Sequence, residues 1–256
     1  MSSMIWELMT ALKEEFFKSR RKHTFLIVAA FAAIELFWLL WSFKSGQKIE
    51  NGWFDILYNI PVLDAVICPV LAAVTAGQNA DLEHRGDTCK LLYTMQNKSS
   101  LYNAKAVFGL LAMVLFFILQ TAVILLIGQL YEFNGPVPSD KILTTTCIGF
   151  LVTLAVYMLQ LNLSMEIKNQ FVPFAVGIVG SFSGMFLLFL PSEPFRKLII
   201  WGSYGALSLV IMDWDAASRT ADFYWREPDM PGIAAVLVWL VALYIIGRIA
   251  AERRDV

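Results

Sequence analysis

Apolar residues run along this chain in long blocks broken by short polar stretches. A helix needs roughly 20 apolar residues to cross the ~30 Å hydrocarbon core of a bilayer. Six blocks come close, at 24–43, 56–76, 105–130, 142–163, 171–190 and 232–250, and each predicts one membrane span. A seventh run, Leu198 to Met212, has only 15 residues; it reads as a short re-entrant or interfacial segment between the fifth and sixth spans. Ahead of the first block, Ile5, Leu8, Met9, Leu12 and Phe16 recur at helical spacing with Glu7, Lys13, Glu14 and Lys18 between them. That pattern predicts an amphipathic helix over Ser3 to Arg20 lying in the membrane interface. The expected fold class is therefore all-α and polytopic, with six transmembrane helices. No internal repeat or long linker divides it, so residues 1–256 read as one membrane domain.

Composition agrees: 58% of residues are hydrophobic and 16% charged, too oily for one soluble domain of this size. The net charge of −1 conceals a segregation. With six spans and the N-terminus inside, thirteen Lys and Arg residues fall on the cytoplasmic side and seven outside, as the positive-inside bias requires. Both termini are then expected in the cytoplasm of an inner-membrane protein, whereas a seven-span chain would send Arg253 and Arg254 outside. The first block has no small-residue cleavage site after it and is expected to be retained. No basic patch with interleaved aromatics points to nucleic acid. Cys68, Cys89 and Cys147 form no CxxC pair and read as small apolar fillers.

Three polar features interrupt the pattern. Gly77 to Ala104 is the most polar stretch of the chain and is expected on the cytoplasmic side. Asp213 to Gly232 lies outside and carries Asp213, Asp215 and Asp222 with Trp214, Tyr224 and Trp225. It suits a cationic amphipathic ligand, or it is a solvated loop anchored by interfacial aromatics. Within the spans, Glu35 and Asp64 are predicted at one depth, about 16 and 18 Å from the same side at ~1.5 Å per residue. An acid at mid-span costs on the order of 2.5–3.5 kcal/mol, so neither is expected to face lipid. The pair either lines a path and meets lysines of a cationic substrate, shares a proton, or is protonated and hydrogen-bonded between helices. Pro61 and Pro69 flank Asp64 and bend the second span. Gly177 with Ser181, and Gly180 with Gly184, form ridges that admit a close helix neighbour.

The run Ala80-Asp81-Leu82-Glu83-His84-Arg85-Gly86-Asp87-Thr88-Cys89-Lys90-Leu91-Leu92-Tyr93-Thr94, followed by Leu101-Tyr102-Asn103-Ala104-Lys105, resembles the loop between the second and third spans of type-2 ABC exporter permeases. Glu14-Glu15-Phe16-Phe17-Lys18-Ser19-Arg20-Arg21 is similar to that family's connecting helix, and the stretch Leu190-Pro191 to Trp201-Gly202-Ser203-Tyr204 looks most like permeases of lantibiotic immunity exporters. The resemblance implies an ATPase-coupling segment at Asp81, Glu83, Arg85, Gly86, Thr88, Lys90, Leu91 and Leu92, and a connecting helix whose contacts include Glu14, Phe17 and Arg20. It also implies a separate dimeric ABC ATPase that uses ATP and Mg, a second permease copy or sister permease, and a cationic peptide substrate. This chain would bind no cofactor itself. It contains no GxxxxGK[ST] phosphate loop, so any ATPase must be another polypeptide. The alternatives are a permease for a drug, ion or lipid, and a membrane sensor or immunity protein that only binds peptide.

Catalytic readings are poor. His23 and His84 both lie at or beyond a membrane boundary, which leaves Ser181 and Ser183 without an activating base. Two distant histidines and three scattered cysteines make no metal shell.

Overall fold

The computed structural model describes residues 2–43, 51–85, 98–188, 193–215 and 220–253. Helix α1 (Ser2–Lys22) leads through His23 into α2 (Thr24–Phe43). His23 takes a left-handed backbone conformation, φ 54°, which breaks the helical run there. Then come α3 (Gly52–Arg85), α4 (Lys98–Leu130), α5 (Ser139–Glu166) and α6 (Phe171–Leu187). Two short helices, α7 (Glu193–Leu198) and α8 (Ser203–Ala206), flank a 3-10 turn at Ile200–Gly202. An antiparallel hairpin of β1 (Val210–Asp215) and β2 (Thr220–Trp225) precedes α9 (Met230–Arg253).

Among the described residues, five helices are long and apolar enough to cross a membrane, and α6, with 17 residues, is a shorter apolar one. The helices run alternately up and down. At one end, Ser99 Oγ donates to Glu252 Oε1 at 2.6 Å, and Thr24 Oγ1 to Gln78 Oε1 at 2.9 Å. This α1 end gathers the starts of α2 and α4 and the close of α3 and α9. At the opposite, hairpin end, Phe133 packs against Phe43 and Trp53. Helices α3 and α5 are the central pair. Helices α2 and α9 are peripheral and leave Phe37, Trp38, Trp41, Val238, Ile245 and Ile246 exposed for lipid.

Several segments depart from the apolar pattern, each for a physical reason. The pattern ends the second span near Ala76, but α3 continues to Arg85. Gln78 and Asn79 are used inside the bundle rather than solvated: Lys22 Nζ and Thr24 Oγ1 donate to Gln78, and Asn79 Nδ2 donates to Tyr157 Oη at 2.9 Å. The run 198–212 forms short turns buried against α3, α5 and α6, with Ile200, Tyr204, Leu207 and Val210 in the core. The hairpin is an addition to the all-α expectation, although Thr220–Trp225 ends in the consecutive aromatics Phe223, Tyr224 and Trp225, residue types enriched in strands. Helix α1 packs a narrow face of small and polar residues on the bundle. Ala11, Glu15 and Ser19 face inward, whereas Met9 and Phe17 are exposed and the partly exposed Phe16 packs on Phe25 and Phe108.

The small-residue ridge of α6 packs within the chain. A Cβ on Gly177 would lie 2.5 Å from Ala73 Cβ and 3.2 Å from Pro69 O, while Ser181 Oγ donates to Val66 O at 2.7 Å. Gly177→Val is therefore expected to push α6 off α3 and destabilise the protein by about 1–3 kcal/mol, read as a lowered melting temperature in detergent. Gly135 provides the comparison, because a Cβ there would meet nothing within 4 Å while its φ of 84° disfavours any side chain. Gly135→Val thus tests backbone strain alone.

Candidate functional site

Two apolar clusters fill the bundle, one toward the α1 end and one toward the hairpin end. Between them lies a polar layer. Glu35 on α2 and Asp64 on α3 are 0% and 2% exposed. Gln120 on α4 joins them: its Nε2 donates to Glu35 Oε1 at 2.9 Å and to Asp64 Oδ1 at 2.6 Å. The expected common depth of the two acids is thus met by one amide whose two hydrogens serve one carboxyl each. Asp64 Oδ1 also accepts from Cys68 Sγ at 3.5 Å. Its Oδ2 lies over Gly149 of α5, where a Cβ would come within 2.9 Å. Among the described residues no basic side chain pairs with either acid, and Glu35 Oε2 and Gln120 Oε1 have no partner.

A second buried cluster closes the α1 end. Lys105 of α4 is fully buried, yet its Nζ donates to Glu15 Oε1 of α1 at 3.2 Å and to Asn79 O of α3 at 2.6 Å. Tyr157 of α5 accepts from Asn79 and donates to Lys105 O at 3.0 Å. Four helices therefore meet on one ion pair. Burial opposes ionisation of Glu15, but Lys105 and Lys18 overcome it and hold the carboxyl below the ordinary carboxylate range. Small Ala11 and Ser19 on either side of Glu15 let α1 approach this closely.

The other sequence-chosen residues fall as follows. Asp81, Glu83 and Arg85 stand on the last turns of α3 rather than on a separate loop. Gly86, Thr88, Lys90, Leu91 and Leu92 lie outside the described residues. On α1, Glu14 is half-buried and Phe17 exposed, and Arg20 lies in the last turns of the helix. The inward-facing acid is Glu15, one position along from the Glu14 chosen from sequence. Asp213 pairs across the hairpin with Asp222, and Ile211 with Tyr224, so Asp213, Asp222 and Tyr224 share one face, and all three are exposed. Asp215 continues that register opposite Thr220, and Trp214 stands opposite Ala221. Trp225 belongs to the other face: it stacks on Phe54 at 4.3 Å and lies 5.8 Å from Lys141 Nζ. A cleft of about 460 Å³ between Phe54, Trp225, Asn134 and Asp140 opens beside it. A second cleft of about 400 Å³ on the hairpin's other flank is walled by Tyr58, Asn59, Met212, Arg196 and Arg226.

From sequence, Gln120 reads as a polar residue that bridges neighbouring helices, without showing which groups it joins, and Lys105 is not seen as a core residue. The signal for Lys105 is its place seven residues inside a helix that starts at Lys98. For Gln120 the signal is a polar side chain midway along an apolar block, at the depth of two predicted acids.

An array of apolar spanning helices with a polar layer between them defines a polytopic membrane protein. The family profile described as ABC-2 family transporter protein matches residues 11–184, from α1 through most of α6. The chain belongs to that family: it is a membrane permease subunit of an ABC transporter, a class that works with ABC ATPase subunits. No curated protein sequence matches it. The carboxyl layer and the Lys105 cluster lie inside the matched region, and the hairpin lies beyond it.

Removing one partner of a buried ion pair costs about 3–5 kcal/mol, because the other charge is left unpaired. Glu15→Gln and Lys105→Met are each expected to lower thermal stability by that order, and the double variant by less than either single one, in a melting series in detergent. Because Glu15 ionises below its usual range, the pair stabilises fully above that range. Its contribution is lost as pH falls through the lowered value, and the melting temperature of the double variant should show no such acid limb.

Proposed function

We propose that this permease, together with a dimeric ABC ATPase and a second permease copy, exports a cationic amphipathic peptide from the membrane, giving protection of the lantibiotic-immunity type. Buried acids without a basic partner at mid-bundle carry this reading. An arriving ammonium group supplies the missing positive charge, and the site lies in the family-matched region. The exposed acids Asp213 and Asp222 with Tyr224, and the aromatic cleft beside Trp225, support capture of such a peptide at the hairpin end. On the α1 end, the long overhang of α3 and the Glu15–Lys105 pair support coupling to the ATPase. The segment around Glu83 to Leu92 docks on it and α1 shifts with it. ATP and Mg are then used entirely in the partner, and the excess of basic residues supports a cytoplasmic α1 end, with both termini there.

A specific observation favours a second reading: Arg196 and Arg226 in the neighbouring cleft suit an anionic group, so a lipid-type amphiphile is the alternative cargo. The two are separated by variants in cells expressing the permease with its ATPase. Peptide export predicts that Glu35→Gln, Asp64→Asn and the pair Asp213→Asn with Asp222→Asn each weaken peptide protection by on the order of tenfold, the equivalent of ~1.4 kcal/mol. Unchanged protection in all three, with loss of transport in Arg196→Gln, would transfer the proposal to the anionic amphiphile. If the ATPase co-purifies but its turnover is indifferent to the permease, the chain acts as a peptide sensor instead.

A further inference from the structure

The polar layer at mid-bundle is short of hydrogen-bond donors and is connected to only one end of the bundle. Gln120 spends both amide hydrogens on the two carboxyls, yet Glu35 Oε2 and its own Oε1 remain without partners among the described residues. Two ionised carboxylates on one amide, buried without a cation, repel each other and resist joint ionisation. One added proton removes a negative charge and supplies a donor where one is lacking.

Toward the α1 end Cys68 and Thr153 are the polar side chains next to the layer, and buried apolar residues predominate beyond them. Val28, Ala32, Leu71, Met113, Phe116 and Val156 are all at most 4% exposed and offer no polar side-chain atom. On the other side a crevice of only about 10 Å³ touches Asp64, Thr145, Gly149, Tyr204 and Ser208. Pro61 and Ser208 line this crevice and also the wide cleft of about 400 Å³ at the hairpin end. They share these two walls, and the crevice reaches Asp64 beside Gly149, over which its Oδ2 lies. A space of this size holds about one water, too little for a metal ion with its ligands but enough for a proton relay through hydroxyls.

We propose that Glu35 and Asp64 hold one proton between them in the resting permease, and that this proton exchanges with the hairpin end along Thr145, Tyr204 and Ser208 and not with the α1 end. The site is a proton-binding site in the middle of the transport domain. Acid at the hairpin end loads it and keeps α2, α3 and α4 tied on Gln120; loss of the proton to water at that end leaves two carboxylates that push α2 from α3. The other titratable groups facing the pair are Cys68 of α3, beside Asp64, and Tyr204 of α8, whose hydroxyl bonds Thr153 Oγ1 at 2.9 Å. Helix α4 brings only Gln120 to the layer, and α5 only Thr145, Gly149 and Thr153, so neither contributes a charge.

The test uses the whole chain in lipid nanodiscs, with no ATPase and no peptide, so it stands or falls apart from the export reading. Infrared difference spectra read the carbonyl stretch of protonated carboxyl groups. Wild type should lose one carboxyl equivalent of that band in Glu35→Gln/Asp64→Asn, whose near-isosteric amides keep the layer's shape and whose melting temperature checks the fold. Deuterium exchange of the band should slow by on the order of 10²-fold in Thr145→Val and Tyr204→Phe. No loss in the double variant means that both acids are ionised, and loss of two equivalents means that both are neutral; either overturns the shared proton. Exchange at the wild-type rate in both relay variants overturns the route.

Discussion

Everything in this bundle answers to one constraint: a polar group inside a membrane domain has no water to turn to and must be satisfied by another helix. Helix α3 bears most of that demand. Along its length Asp64 is tied to α4, Val66 O to α6, Asn79 to α5, and Gln78 to Lys22 and to the start of α2. Pro61 and Pro69 add to the demand, since each removes a backbone donor from the same helix. The close seat of α6 on α3 follows: its glycines bring a serine hydroxyl and a tightly packed backbone against the weakened turn.

The two buried charged clusters solve the same problem differently. At the α1 end the Lys105 ammonium meets Glu15 and a backbone carbonyl, and Tyr157 takes up the Lys105 carbonyl, so opposite charges and hydrogen bonds balance locally. The carboxyl layer has two acids and a neutral amide. A closed ion pair is a fixed structural tie, whereas a layer of acids that lacks a counter-charge changes state with whatever cation reaches it. Their separation along the bundle, with mostly apolar buried side chains between, lets each do its task without shorting the other.

Much of this is legible in the sequence because bilayer thickness imposes length on apolar runs, and so α2 begins and ends where the pattern says. The ends of α3, α4 and α5 are not, since Gln78, Asn79 and Lys105 look solvated in sequence and are in fact held by partners tens of residues away. The common depth of Glu35 and Asp64 follows from counting residues; that Gln120 joins them requires knowing which way α4 faces. On α1 the hydrophobic stripe is visible, but the face that meets protein is not, because small Ala11 and Ser19 carry no apolar signal of contact. Glu15 lies on that face, so it rather than Glu14 is the buried acid. The hairpin is obscured by a neighbouring apolar run whose composition suits helix and strand alike.

The continuity of α3 from Gly52 to Arg85 has a mechanical consequence. Arg85 stands 16 residues beyond Pro69, roughly 24 Å at ~1.5 Å per residue, while Asp64 lies about one and a half turns to the other side of that proline. The helix is thus a lever whose long arm runs from Pro69 past the end of the apolar block to Arg85 and whose short arm ends at the acids. A force applied at the far tip arrives at the carboxyl layer with its travel divided and its strength multiplied, which suits prising apart a tight contact better than opening a wide gap.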